Sequence, residues 1–136
     1  CGAWTSAGYG KLAELSSYSH TNSYPTDNNY NEISFTDSLE DDVLAQCHRV
    51  FTSIFRTKIE TADIGISTSH TFSTGTPSST QYDLQSVITH EVGHALGLGH
   101  PDDTERTAVM YKSFSPGETR RTLSSDDIAG IAAIYD

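Results

Sequence analysis

Three of the chain's six histidines fall within eleven residues, His90-Glu91-Val92-Gly93-His94-Ala95-Leu96-Gly97-Leu98-Gly99-His100. On a helix, His90 and His94 stand four apart, so their imidazoles leave the same face and can share one metal ion. Glu91 is one step round that helix, close enough to hold a water at the metal without being a ligand. Gly97 lets the chain leave the helix sharply, through a backbone conformation that a β-carbon opposes. His100 can then fold back as a third ligand. Three imidazoles with a fourth tetrahedral position open make a catalytic rather than a structural zinc site, and zinc suits neutral imidazoles where no redox step is called for. The alternative, histidines scattered by accident over a solvated helix, requires five fixed positions to coincide by chance.

A helix must carry this cluster, and the sequence supplies one. Thr80-Gln81-Tyr82-Asp83 fits a capping box at its start. From Asp83 to Leu96 the apolar residues Leu84, Ile88, Val92, Ala95 and Leu96 fall on one helical face, and Gly97 and Gly99 end it. A last helix is expected from a second capping box, Ser124-Ser125-Asp126-Asp127, burying Ile128, Ile131, Ala132 and Tyr135. Upstream, the period is that of strands: Asn31–Thr36, Val43–Ser53, Ile59–Ser67 and a short edge strand at Thr71–Ser73, before Gly75 and Pro77 break the chain. Ser16 to Asn31 is polar and reads as loop. Strands first and helices after predict a single α+β domain.

Composition bounds what such a domain can engage. The chain has 136 residues, with 18 serines and 17 threonines, 35% hydrophobic and 19% charged residues, and a net charge of −10. That acidity speaks against nucleic acid, whose phosphates need basic surface, and against anionic membranes. No apolar run approaches the roughly 20 residues that span a bilayer. Cys1 and Cys47 allow one disulfide, which would place the protein outside the cytoplasm, or two unpaired thiols.

HEVGHALGLGH, followed by Ala108-Val109-Met110-Tyr111, resembles the zinc site and Met-turn of a metzincin endopeptidase. Within that group the chain is most similar to the matrixins, in a compact bacterial type, over about Asn31 to the end. Ile59–Ile66, Tyr82–His90 and Leu123–Tyr135 carry the likeness further, and Ala3-Trp4 carries it faintly. His100-Pro101 is shared with the serralysins, but Lys112 stands where serralysins and astacins have a tyrosine that reaches zinc, and Tyr111 follows Met110 as in matrixins.

The resemblance implies a mostly parallel twisted sheet with an antiparallel edge strand, an active-site helix, the Met-turn and a C-terminal helix. It implies zinc on His90, His94 and His100, with Glu91 as general base to the attacking water and then proton carrier to the leaving amine. Met110 would form a hydrophobic floor beneath the histidines. Asp126 corresponds to an aspartate that pairs with the mature N-terminal ammonium, and Asp127 to a buried neighbour supporting the Met-turn. Both equally suit a helix start, where acids favour the dipole. Substrate would add as a strand to the edge expected near Thr71–Gly75, engaging Thr71, Phe72 and Ser73. Tyr111 is a further substrate contact, and Ser86 is expected to line an open S1′ pocket accepting a medium or large apolar P1′ residue.

Two departures from the family pattern stand out. Ile66 and His90 are too close for the loop that binds a second zinc and calcium in animal matrixins. His70 is therefore expected to be an ordinary surface residue, His20 and His48 ordinary surface or core histidines, and zinc a single catalytic ion. Calcium stays open, since Asp41-Asp42 and Asp102-Asp103 suit solvent as well as a cation. The chain also begins where the family's first helix would end, so the domain, residues 1–136, is expected to lack the first strand and most of that helix. A propeptide or other upstream segment remains open.

The resulting expectation is a secreted, monomeric zinc endopeptidase that hydrolyses internal bonds of protein or peptide substrates, with no nucleic acid or membrane partner. The rival is a non-catalytic zinc-binding relic used as a binding module. Glu91 separates them, because a relic has no need of it. An enzyme acting on another amide or ester would share the zinc chemistry.

Overall fold

A computed structural model describes residues 3–4, 24–25, 28–52 and 58–135. Among the described residues Ala3 and Trp4 are helical, and five strands then precede two helices: β1 Ile33–Thr36, β2 Ala45–Phe51, β3 Ile59–Ser67, β4 Phe72–Ser73, β5 Tyr82–Asp83, α1 Leu84–Ala95 and α2 Ser125–Tyr135. β3 is the middle strand of a three-stranded sheet ordered β1-β3-β2. β1 runs parallel to it, with Ile33 opposite Ile64, and β2 runs antiparallel, with Cys47 opposite Ile64. β4 and β5 form a separate parallel pair. Among the described residues the three-stranded sheet is thus mixed rather than mostly parallel, one pairing parallel and one antiparallel, with the antiparallel strand at an edge as expected in an α+β arrangement.

β3 is buried along Thr61–Ser67, which fits a central strand covered on both faces. At Gly65 a Cβ would lie 2.7 Å from the Tyr24 ring, so only glycine admits that ring. The other face meets α1. The core there combines Trp4, Ile64, Ile66, Val92, Leu98, Val109, Met110 and Ile131. Trp4 is 1% exposed, and its Nε1 donates to Thr89 O at 2.9 Å. Gly93 allows this packing, because a Cβ there would collide with Met110 Sδ and stand 2.8 Å from Trp4 Cζ2.

Both helix starts are built from side chains, one of them differently from expectation. Asp83, not Thr80, caps α1: its carboxylate accepts from Ser86 N at 3.0 Å. Residues 82–83 are engaged with β4, which delays the helix to Leu84. At α2 the expected box forms, with Ser124 N donating to Asp127 Oδ2 and Asp127 N to Ser124 Oγ. The expected apolar face of α2 is narrower than its spacing implies. Ile131 is fully buried, whereas Ile128 and Tyr135 are 41% and 50% exposed. Tyr135 instead sends its hydroxyl to Leu96 O at 2.9 Å.

The polar stretch from Ser16 falls mostly outside the described residues, as do Cys1 and His20. No described helix is long and apolar enough to cross a membrane.

Candidate metal centre

α1 ends in a turn that aims the third histidine. Gly97 adopts φ +104°, and the two following-turn bonds, Gly97 N to His94 O and Leu98 N to Gly93 O, are both 3.0 Å. This is a Schellman termination, which requires a left-handed residue at that point. The chain reverses, and His100 returns over the helix face that presents His90 and His94.

The three Nε2 atoms converge. His100 Nε2 lies 3.1 Å from His94 Nε2 and 3.2 Å from His90 Nε2. Tetrahedral zinc with Zn–N bonds near 2.05 Å separates its nitrogens by about 3.3 Å. His90 Nδ1 stands 2.8 Å from Val109 O, and His94 Nδ1 2.8 Å from Leu98 O. A carbonyl only accepts, so each Nδ1 holds the proton and each Nε2 keeps a free lone pair for metal. Burial pulls the His90 imidazole down to about 4 and lowers His94 and His100 as well. Neutral rings are the form that ligates. Among the described residues these three form the group able to hold a metal, and zinc fits them.

Glu91 is 6% exposed. Burial pushes its carboxyl up to about 7, against the opposing donation of the Cys47 backbone N–H. A carboxyl titrating near neutrality is matched to both accepting and returning a proton.

Beneath the histidines runs the turn at 108–111, closed by Tyr111 N to Ala108 O at 3.2 Å. Asp127 reaches back to it, accepting from Val109 N at 2.8 Å and Met110 N at 3.0 Å. Met110 is 2% exposed and packs under α1. Asp126 is exposed, and the N-terminal residue it was expected to meet is outside the described residues.

A cleft of about 470 Å³ opens over the centre. Val87, His90, Glu91 and His94 of α1 line its base, the 42–47 stretch with Arg49 lines one side, and Lys112, Ser113 and Phe114 line the other. Thr71, Phe72 and Ser73, expected as the substrate edge, do not line this cleft, although Tyr82, the partner of Phe72, does. Phe72 is taken up between Phe35 and Tyr82, at centroid distances of 6.4 and 6.2 Å, and Ser73 pairs with Asp83. The strand beside the cleft is β2. Ser86 does not line the cleft either, being 0% exposed. Its hydroxyl donates to Asp83 at 2.5 Å and accepts from Arg120 N at 2.7 Å. Tyr111 is half-buried, with its ring 5.7 Å from the Arg120 guanidinium carbon.

Cys47 is a free thiol beside the cleft, so the expected bridge to Cys1 is not shown, Cys1 being outside the described residues. Burial, with Glu91 adding to it, pushes that thiol up to about 12, which keeps it protonated and unreactive at neutral pH. His48 is exposed and His70 packs edge-on to Tyr82 at 5.6 Å. Sequence reasoning missed Phe114 and Arg120. Neither belongs to a spaced motif, and only the fold brings them to the centre.

A helix-borne histidine pair with its glutamate, a third histidine after a glycine turn and a buried methionine turn beneath define a centre of the metzincin kind. The profile of the family described as Matrixin matches residues 17–136, and the chain belongs to that family. It is 45% identical over 62 residues to metalloendoproteinase 1 of Glycine max, covering 46% of this chain and 20% of that protein. It is 46% identical over 63 residues to neutrophil collagenase of Homo sapiens, covering 46% and 13%. With metalloendoproteinase 1-MMP of Arabidopsis thaliana the identity is 49% over 53 residues, covering 39% and 14%. The matched stretch is a fifth or less of each relative's length.

Proposed function

We propose that this chain is a secreted zinc endopeptidase that cleaves internal bonds of extended protein segments. The observation that carries the proposal is Glu91, a buried carboxyl that lines the same cleft as the three convergent imidazoles. A relic that only binds zinc has no use for such a group.

His90, His94 and His100 would hold the zinc, which when bound supplies Lewis acidity to the scissile carbonyl and makes water easier to deprotonate. Glu91 takes the proton from the attacking water as the new C–O bond forms, then delivers it to the amide nitrogen as the C–N bond breaks. The substrate main chain lies along β2, the edge strand of the described sheet and the one that lines the cleft, and adds to it by strand-like hydrogen bonding. β2 thereby takes the part first expected of Thr71, Phe72 and Ser73. Phe114 and Val87 offer apolar surface for the residue after the scissile bond (P1′), the part first expected of Ser86. Secretion rests on the family.

Incubation of the zinc-loaded chain with an unfolded protein, followed by mass spectrometry of the fragments, tests the reading. New internal termini that disappear with a chelator are expected. Trimming from the ends alone, or fragments that survive chelation, would count against it.

A further inference from the structure

Arg120 is the one buried Lys or Arg among the described residues, and its guanidinium faces the cleft wall from behind. Nη1 donates to Ala108 O at 3.0 Å and Tyr111 O at 3.3 Å, and Nη2 donates to Ser113 O. The guanidinium carbon lies 3.9 Å from the Phe114 ring centroid, and Nε is 2.9 Å from Glu118 Oε1. The 108–114 stretch has no strand or helix, so this one side chain satisfies carbonyls that a sheet partner would otherwise satisfy. Phe114 in turn meets the His90 ring edge-on at 5.6 Å and lines the cleft. Ser86 completes the support by accepting from Arg120 N.

We propose that Arg120 is a positioning residue for substrate selection. By stacking on Phe114 and tying down the carbonyls of 108–113, it holds that ring as the wall against which the P1′ side chain packs. The proposal rests on the endopeptidase reading for its substrate, but the wall itself is a matter of binding. A planar cation with several donors does this where a lysine cannot, since a single ammonium can neither stack as a plane nor span three carbonyls. Without it the loop keeps its length but loses its one fixed geometry. The ring then leaves its place beside His90, and an apolar side chain gains nothing there over none at all.

The test uses zinc-loaded Glu91→Ala protein, which binds without cutting, titrated by fluorescence anisotropy with two labelled peptides. These are identical except for leucine or glycine at the P1′ position. Leucine is expected to bind about tenfold more tightly. Adding Arg120→Met should bring the two affinities within about twofold at unchanged zinc content, and Phe114→Ala should do the same. If Arg120→Met does not fold, Arg120→Lys decides, with the same loss of preference expected. An unchanged ratio, equal weakening of both peptides, or no leucine preference in the Glu91→Ala parent overturns the proposal. A native chain that cuts neither peptide while the ratio still collapses refutes the endopeptidase reading and leaves the wall standing.

Discussion

His90 and His94 are fixed as ligands by atoms that are not ligands, the carbonyls of Val109 and Leu98. His100 depends instead on backbone shape, through Gly97 at φ +104°. Space is not the constraint there, since a Cβ would meet nothing closer than Ile134 Cδ1 at 3.5 Å. Gly97→Ala should therefore cost about 1–2 kcal/mol through the backbone alone. It should also weaken zinc binding, because the strained turn aims His100. Urea denaturation and a competitive zinc titration check both, and native values for both would remove the turn from the account. The motif spacing made His90, Glu91, His94, His100 and Gly97 legible because they lie on one helix and the turn that ends it. Phe114, Arg120 and the true place of Ser86 were not legible, because packing between distant segments sets them.

At the scale of elements, α1 is anchored at its first turn by Asp83, which is 1% exposed and paired with Arg121 through contacts of 2.9 and 2.5 Å. Arg121 also donates to Gly75 O at 2.5 Å, tying the loop after β4 to the helix start. Burial alone would raise the Asp83 carboxyl, but hydrogen bonds from Arg121 and Ser86 prevail and hold it below the usual carboxylate value. A carboxyl with a lowered folded pKa stabilises fully above its unfolded value near ~3.9 and ceases to as pH falls through the folded one. Asp83→Asn, which keeps a capping oxygen, should thus cost about 2 kcal/mol at pH 7 through the lost charge opposite Arg121. The gap to the native chain should narrow below about pH 4. Denaturation curves at pH 7 and pH 3 decide, and a gap that is equal at both would mean the charge contributes nothing. The bounds of β3 could be read from its apolar pattern, Ile59–Ser67. The pattern could not say that β2 would be the edge beside the cleft, because strand order depends on pairing between segments far apart in sequence. It also overstated α2, where Ile128 and Tyr135 repeat at the right interval yet no described element covers them.

Across the whole molecule, the metal centre and the core are one structure. Met110 packs with Trp4 against Gly93 between the two ligating residues of α1, and Asp127 of α2 holds the turn that carries Met110. Zinc binding should therefore stabilise the entire fold. At free zinc a thousandfold above its dissociation constant the gain is about 4 kcal/mol, a rise in melting temperature of about 10 °C for a chain this size. His100→Ala should abolish most of that rise while leaving the apo protein folded. A zinc-induced shift of the same size in His100→Ala would mean that metal binds elsewhere.

The central claim is that Glu91 does chemistry at a metal it does not hold. Zinc content and cleavage of an unfolded protein should be measured together for the native chain and Glu91→Ala. The account predicts one zinc in each, with cleavage by the variant lower by on the order of 10²- to 10⁴-fold. Equal cleavage by both proteins at equal zinc content would contradict it.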